Sequence, residues 1–121
     1  MKLTLERLAL LLWTAALVAA SLQTRRPGLP RTIAMHHSLH VITFMVGTAL
    51  TIRSLPRRLM YTLSIPAAIS LGIFIEVAQH TLFHLPIEWD DIAADTLGVF
   101  LTALLFAVFA HQKAPKSALT P

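Results

Sequence analysis

Long uncharged stretches alternate with short charged ones along this chain. The first stretch runs from Leu8 to Thr24 between Arg7 and Arg25, and the second from Thr32 to Ile52 between Arg31 and Arg53. The third begins at Leu59, after Arg58, and meets only Glu76 before Glu88; the fourth, from Ile92 to Gln112, holds only Asp95. A helix that crosses a bilayer needs about 20 mainly apolar residues. Each stretch is close to that size and too long for a strand. The pattern predicts an all-α fold, an integral membrane bundle of four transmembrane helices over about 7–24, 33–52, 59–80 and 91–111.

The connections fit this division. Arg25 to Arg31 reads RRPGLPR, whose two prolines and glycine cannot continue a helix. Arg53 to Arg58 is a short basic turn, and His84 to Asp91 holds a proline and three acids. Pro66 falls inside the third helix, where it removes one backbone donor and predicts a kink or a loosened turn. Gly47, Gly72 and Gly98 are expected to let helices pack closely. The organisation is an N-terminal helix and outer loop over 1–30, a three-helix region over 31–111, and a polar tail over 112–121.

Composition narrows the setting. Of 121 residues, 55% are hydrophobic and only 13% charged, with a mean hydropathy of +0.67. Soluble domains carry roughly 25% charged residues, and a chain this small has a large surface to cover. Lipid is the solvent this chain suits. The absence of cysteine rules out disulfides, thiolate metal sites and cysteine nucleophiles. The first helix has a rival reading as a signal peptide: Lys2 and Arg7 make a basic start, and Val18-Ala19-Ala20 resembles a cleavage site. The uncharged run on to Thr24 favours an uncleaved span.

The net charge of +4 reads as topology. Lys2, Arg7, Arg53, Arg57, Arg58, Lys113 and Lys116 fall on one side, and Arg25, Arg26 and Arg31 on the other. Basic residues favour the cytoplasmic side, so both termini are expected there, with the first and third connections outside. No basic face is left over for nucleic acid.

This topology gathers the polar residues. His36, His37 and His40 sit at the outer end of the second helix; Glu76, Gln79 and His80 at that of the third; Asp90, Asp91 and Asp95 at that of the fourth. His36 and His40 share a helical face, as do Glu76, Gln79 and His80, and as do Asp91 and Asp95, with Gly98 one turn deeper. A carboxylate in lipid costs about 2.5–3.5 kcal/mol on insertion scales, so Glu76 and Asp95 need partners. His40 and His80 are the expected ones, with Gln79 bridging. Each member also has a plainer role as interhelical glue. Glu88 and Asp90 read as solvated acids at a helix N-terminus, and His111 as a solvated helix end. Trp89, Trp13 and Tyr61 read as interfacial anchors. His84 lies in a loop.

GIFIEVAQH (Gly72 to His80) followed by WDDIAADTLG (Trp89 to Gly98) resembles the signature of VanZ-like membrane proteins. Gly72, Glu76 and Gln79 match a Gly-x-x-x-Glu-x-x-Gln stretch; Asp91 and Gly98 match an Asp-x-x-x-Asn-x-x-Gly stretch, with Asp95 at the asparagine position. His40 matches the histidine of Asp-Lys-x-x-His, while His36 and His37 replace the Asp-Lys pair. The resemblance covers about residues 33 to 110, in the family order and spacing. Two further departures are a missing arginine between the last two helices and Thr102 where a second glycine is usual. The resemblance implies a small bacterial membrane protein; the family's named member is associated with low-level resistance to the glycopeptide antibiotic teicoplanin.

Three function classes follow. The first is an envelope protein whose outward polar pocket, made by His36, His40, Glu76, Gln79, His80, Asp91 and Asp95, binds a lipid-linked or glycopeptide-like ligand. The second is a metal-assisted membrane hydrolase or transferase, for which these residues supply nitrogen and oxygen ligands; there is no His-Glu-x-x-His motif. The third is an accessory helix bundle in which the cluster only fixes register. A transporter or proton relay is a fourth option, although four helices are few for alternating access unless the chain oligomerises. No cofactor and no resident metal are expected under the first reading.

Overall fold

The computed structural model describes residues 4–23 and 32–112. Among them the chain forms four helices and no strand: α1 (Leu5–Ser21), α2 (Ile33–Ser54), α3 (Met60–Phe83) and α4 (Trp89–Gln112). The connection at 25–31, the tail from 113, and the basic residues Lys2, Arg25, Arg26, Arg31, Lys113 and Lys116 lie outside the described residues.

Local chemistry sets the helix ends. Thr4 and Thr32 cap α1 and α2, their hydroxyls accepting from Arg7 N at 3.4 Å and Met35 N at 3.3 Å. α2 stops just ahead of Pro56, and Leu59 N then donates to Pro56 O at 2.8 Å before α3 starts. α3 continues through Pro66 and ends at His84, whose φ of 55° is the left-handed conformation that closes helices. Pro86 bars any return to helix. This carries α3 three residues past its expected end at 80.

α2, α3 and α4, at 22, 24 and 24 residues, are long and apolar enough to cross a membrane. α1 has 17 residues, about 26 Å at 1.5 Å per residue, and is not one of these three. Large apolar side chains face outward, and the interior mixes apolar with polar ones. Phe74, Phe100, Leu104 and Phe109 are more than half exposed, whereas Thr48, Ser64, Glu76, Asp91, Asp95 and Thr102 are buried. That inverts the soluble arrangement and is the architecture of a membrane protein.

α2 touches each of the other three helices. It runs in the same direction as α4, because partners advance together along both: His36 with Asp91, His40 with Asp95, and Met45 O with Thr102 Oγ1. Gly98 allows the close approach, since a Cβ there would strike the Val41 carbonyl oxygen and lie 3.2 Å from Val41 Cα. Gly47 lies under the Trp13 ring, which also meets Phe44 edge-on at 6.2 Å. Trp13 therefore packs α1 on α2 and is no interfacial anchor. Tyr61 departs in the same way: its hydroxyl is buried and, among the described residues, has no hydrogen-bond partner. Trp89 is 72% exposed at the start of α4.

Candidate functional site

The site forms where α2 and α4 begin and α1 and α3 end. Four residues advance a helix by about 400°, so His36 and His40 point the same way, as do Asp91 and Asp95. Because α2 and α4 are parallel, the two pairs meet in register. His36 Nε2 is 2.9 Å from Asp91 Oδ2, and His40 Nδ1 is 2.9 Å from Asp95 Oδ1. The other ring nitrogen of His40, Nε2, is 3.3 Å from Asp91 Oδ2. His40 is thus held between two carboxylates. His37 Nε2 stands 3.7 Å from Asp91 Oδ1, and Glu88 Oε2 3.8 Å from His36 Nε2. The Asp91 and Asp95 side chains are 4% and 6% exposed, while the imidazoles are about a quarter to a third exposed.

α3 supplies the third wall. Glu76 is buried, and its Oε2 accepts from Glu88 N at 2.9 Å, which fastens the α3–α4 connection over the site. Gly72, one turn earlier, leaves room for the Asp95 carboxylate: a Cβ there would lie 2.9 Å from Asp95 Oδ2 and 3.3 Å from Phe44 Cζ. Gly72 is therefore a packing glycine whose neighbour is the site itself.

Two expectations need correction. Gln79 does not bridge carboxylate and histidine; its Nε2 donates to Ser21 O at 2.8 Å, satisfying a carbonyl at the C-terminus of α1. His80 is exposed, with Nδ1 2.7 Å from Leu85 O, and does not line the cavity. At 100° per residue, His80 lies about 80° around α3 from Gly72, whereas Glu76 and Gln79 lie about 40° and 20° to either side. His80 falls off the edge of the inward stripe.

The cavity has a volume of about 580 Å³. Its polar lining includes His36, His40, Glu76, Gln79, Asp91 and Asp95; its apolar lining includes Leu17, Leu39, Phe44, Ile75, Phe83 and Leu85. Every expected site residue except His80 is brought to it. The contribution of α1, through Leu17, Ala20 and Ser21, and of Gln23 just past its end, was not legible in the sequence, since none of these carries a distinctive side chain at a distinctive spacing. Thr102 was legible and missed. It continues the Asp91, Asp95, Gly98 face by one turn, and its hydroxyl donates to Met45 O at 3.2 Å and Gly98 O at 3.0 Å.

Two imidazoles and three carboxylates around one cavity are hydrogen-bond acceptors and cation ligands. One nitrogen or oxygen each from His36, His40 and Asp91 lie within 4.8 Å of one another, close enough to share a metal ion. Compared with family models, curated proteins and solved structures, the chain matches none of them.

Proposed function

We propose that this chain is a small bacterial membrane protein of the VanZ-like kind, whose pocket binds the head group of an amphiphilic envelope ligand, lipid-linked or glycopeptide-like. The carrying observation is the mixed lining: buried acids and half-buried histidines interleaved with aliphatic and aromatic side chains around one cavity of about 580 Å³. That volume suits a ligand of ordinary size. The family assignment rests on Gly72, Glu76, Gln79, Asp91 and Gly98 at their positions, with His40 ahead of them.

In this reading α1 is a fourth, uncleaved span in the cytoplasmic membrane, both termini are cytoplasmic, and the pocket opens outward. The Trp13 contact on Gly47 and the Gln79 bond to Ser21 support an α1 that stays with the bundle. The bias of basic residues toward the second connection and both termini supports the orientation. A fluorescent protein fused after residue 112 is expected to fluoresce in cells, and alkaline phosphatase inserted at 85–87 to be active. The reverse pattern would move the pocket to the cytoplasmic side.

Glu76→Gln tests the pocket. Glutamine keeps an oxygen to accept from Glu88 N but removes the charge. In a deletion strain challenged with envelope-targeting antibiotics, teicoplanin among them, the wild-type chain is expected to restore tolerance. Glu76→Gln, at equal membrane level and equal melting temperature, is expected to lose most of it. Full restoration by the variant would remove the pocket as the active element.

A further inference from the structure

His40 meets a carboxylate with each ring nitrogen: Nδ1 at 2.9 Å from Asp95 Oδ1, and Nε2 at 3.3 Å from Asp91 Oδ2. A neutral imidazole has one N–H and one lone pair. With Nδ1–H donating to Asp95, the lone pair on Nε2 faces a carboxylate oxygen. His36 Nε2 approaches that same oxygen at 2.9 Å. Such a convergence of acceptors needs a proton or a cation among them: a proton on a ring or on a carboxyl, or a metal ion. The spacing is near that of a metal site. Ligand atoms about 2.0–2.1 Å from a four-coordinate zinc lie about 3.3 Å apart. The His40–Asp91 separation has that value, the His36–Asp91 separation of 2.9 Å has to widen by a few tenths of an ångström to reach it, and all three residues offer ligand atoms within 4.8 Å of one another.

We propose that His36, His40 and Asp91 form a site for a divalent transition-metal ion of the zinc class, with Asp95 as the positioning residue that fixes the tautomer of His40. A carboxylate that accepts from the outer N–H of a metal-binding histidine is the recurrent support of such sites. Gly72 makes room for that carboxylate, so the support is built into the packing of α3 on α4. Two histidines and one carboxylate leave one tetrahedral position unfilled, which is how zinc sites that bind or transform ligands are arranged. All three ligands line the cavity, so the unfilled position belongs to the pocket proposed above, on which this inference rests. The ion also answers the electrostatic problem of the site. Asp91, Asp95 and Glu76 are buried together with no lysine or arginine among the described lining residues, and a divalent charge offsets two of the three acids.

The test uses the full chain without a histidine tag, in lipid nanodiscs, stripped with chelator and titrated with Co²⁺. One equivalent is expected to bind with the visible absorption of four-coordinate Co²⁺, and Zn²⁺ is expected to displace it. His36→Ala and His40→Ala should abolish the absorption, while exposed His111→Ala and Asp90→Asn should leave it intact. Asp95→Asn should keep the spectrum but weaken binding about 10- to 100-fold. Folded wild-type protein that gives no such absorption overturns the proposal without recourse to any variant. Binding that survives both histidine substitutions overturns it as well. The two readings fail separately: if Glu76→Gln keeps full tolerance while Co²⁺ still binds, the pocket reading falls and the metal stands, and a lost phenotype without Co²⁺ binding does the reverse.

Discussion

Gly98→Leu is expected to prevent the bundle from assembling, and Gly98→Ala to lower its stability by about 1–3 kcal/mol, the usual cost of overpacking. The reason is the nature of the neighbour. A Cβ on residue 98 meets the carbonyl oxygen of Val41, with Val41 C and Cα at 3.2 Å. A side chain can rotate away from such a contact; backbone in the middle of α2 cannot. Separating α2 from α4 at this level would also draw His40 away from Asp95 and Met45 O away from Thr102 Oγ1. Thermal melts of the purified chain in detergent, with Val108→Leu on the exposed face as control, give the measurement. An alanine variant that melts with the wild type would mean that the two helices do not touch at Gly98.

Asp91→Ala is expected to be the most damaging substitution of a polar residue, at about 3 kcal/mol. Removing one partner of a buried ion pair typically costs about 3–5 kcal/mol, and partial exposure of the histidines puts this site at the lower end. Asp91 is approached by His36 at 2.9 Å, His40 at 3.3 Å and His37 at 3.7 Å, so its loss removes the acid that three imidazoles share and leaves His40 only Asp95. Asp90 is the internal control: it is adjacent, also an aspartate, and exposed, and Asp90→Ala should stay within about 0.5 kcal/mol of wild type. A double-mutant cycle with His36→Ala should show a coupling of about 0.5–3 kcal/mol. Strict additivity of the two substitutions would break the pairing drawn between α2 and α4.

Much of this was legible because charge is so scarce in the chain. Four uncharged stretches became four helices, displaced by a few residues where caps took over from composition: Thr4 and Thr32 at two starts, His84 in the left-handed conformation at the end of α3. The four-residue spacings of His36 with His40 and Asp91 with Asp95 placed each pair on one face, and alternating helix directions brought the pairs to one end. Partner choice was not legible. Glu76 was assigned to a histidine and takes the Glu88 backbone instead; Gln79 was assigned to the site charges and takes Ser21 O. Backbone groups have no letter in a sequence, so contacts to them come only from the fold. Trp13 was misread for a related reason. A tryptophan in an apolar helix looks like an anchor until the facing helix is seen to offer a glycine.

The matched ladder between α2 and α4 also constrains how the chain can change length. His36 and Asp91 are separated by 55 positions, and so are His40 and Asp95. Residues gained or lost in either connection alter that offset without disturbing any pair, so the loops are free to drift. A single insertion between His36 and His40 turns one histidine by about 100° relative to the other, and no adjustment of the loops restores both contacts. Lineages descended from this sequence should therefore show gaps in the connections and none between residues 36 and 45 or 91 and 102, a record of selection written in indels more than in substitutions.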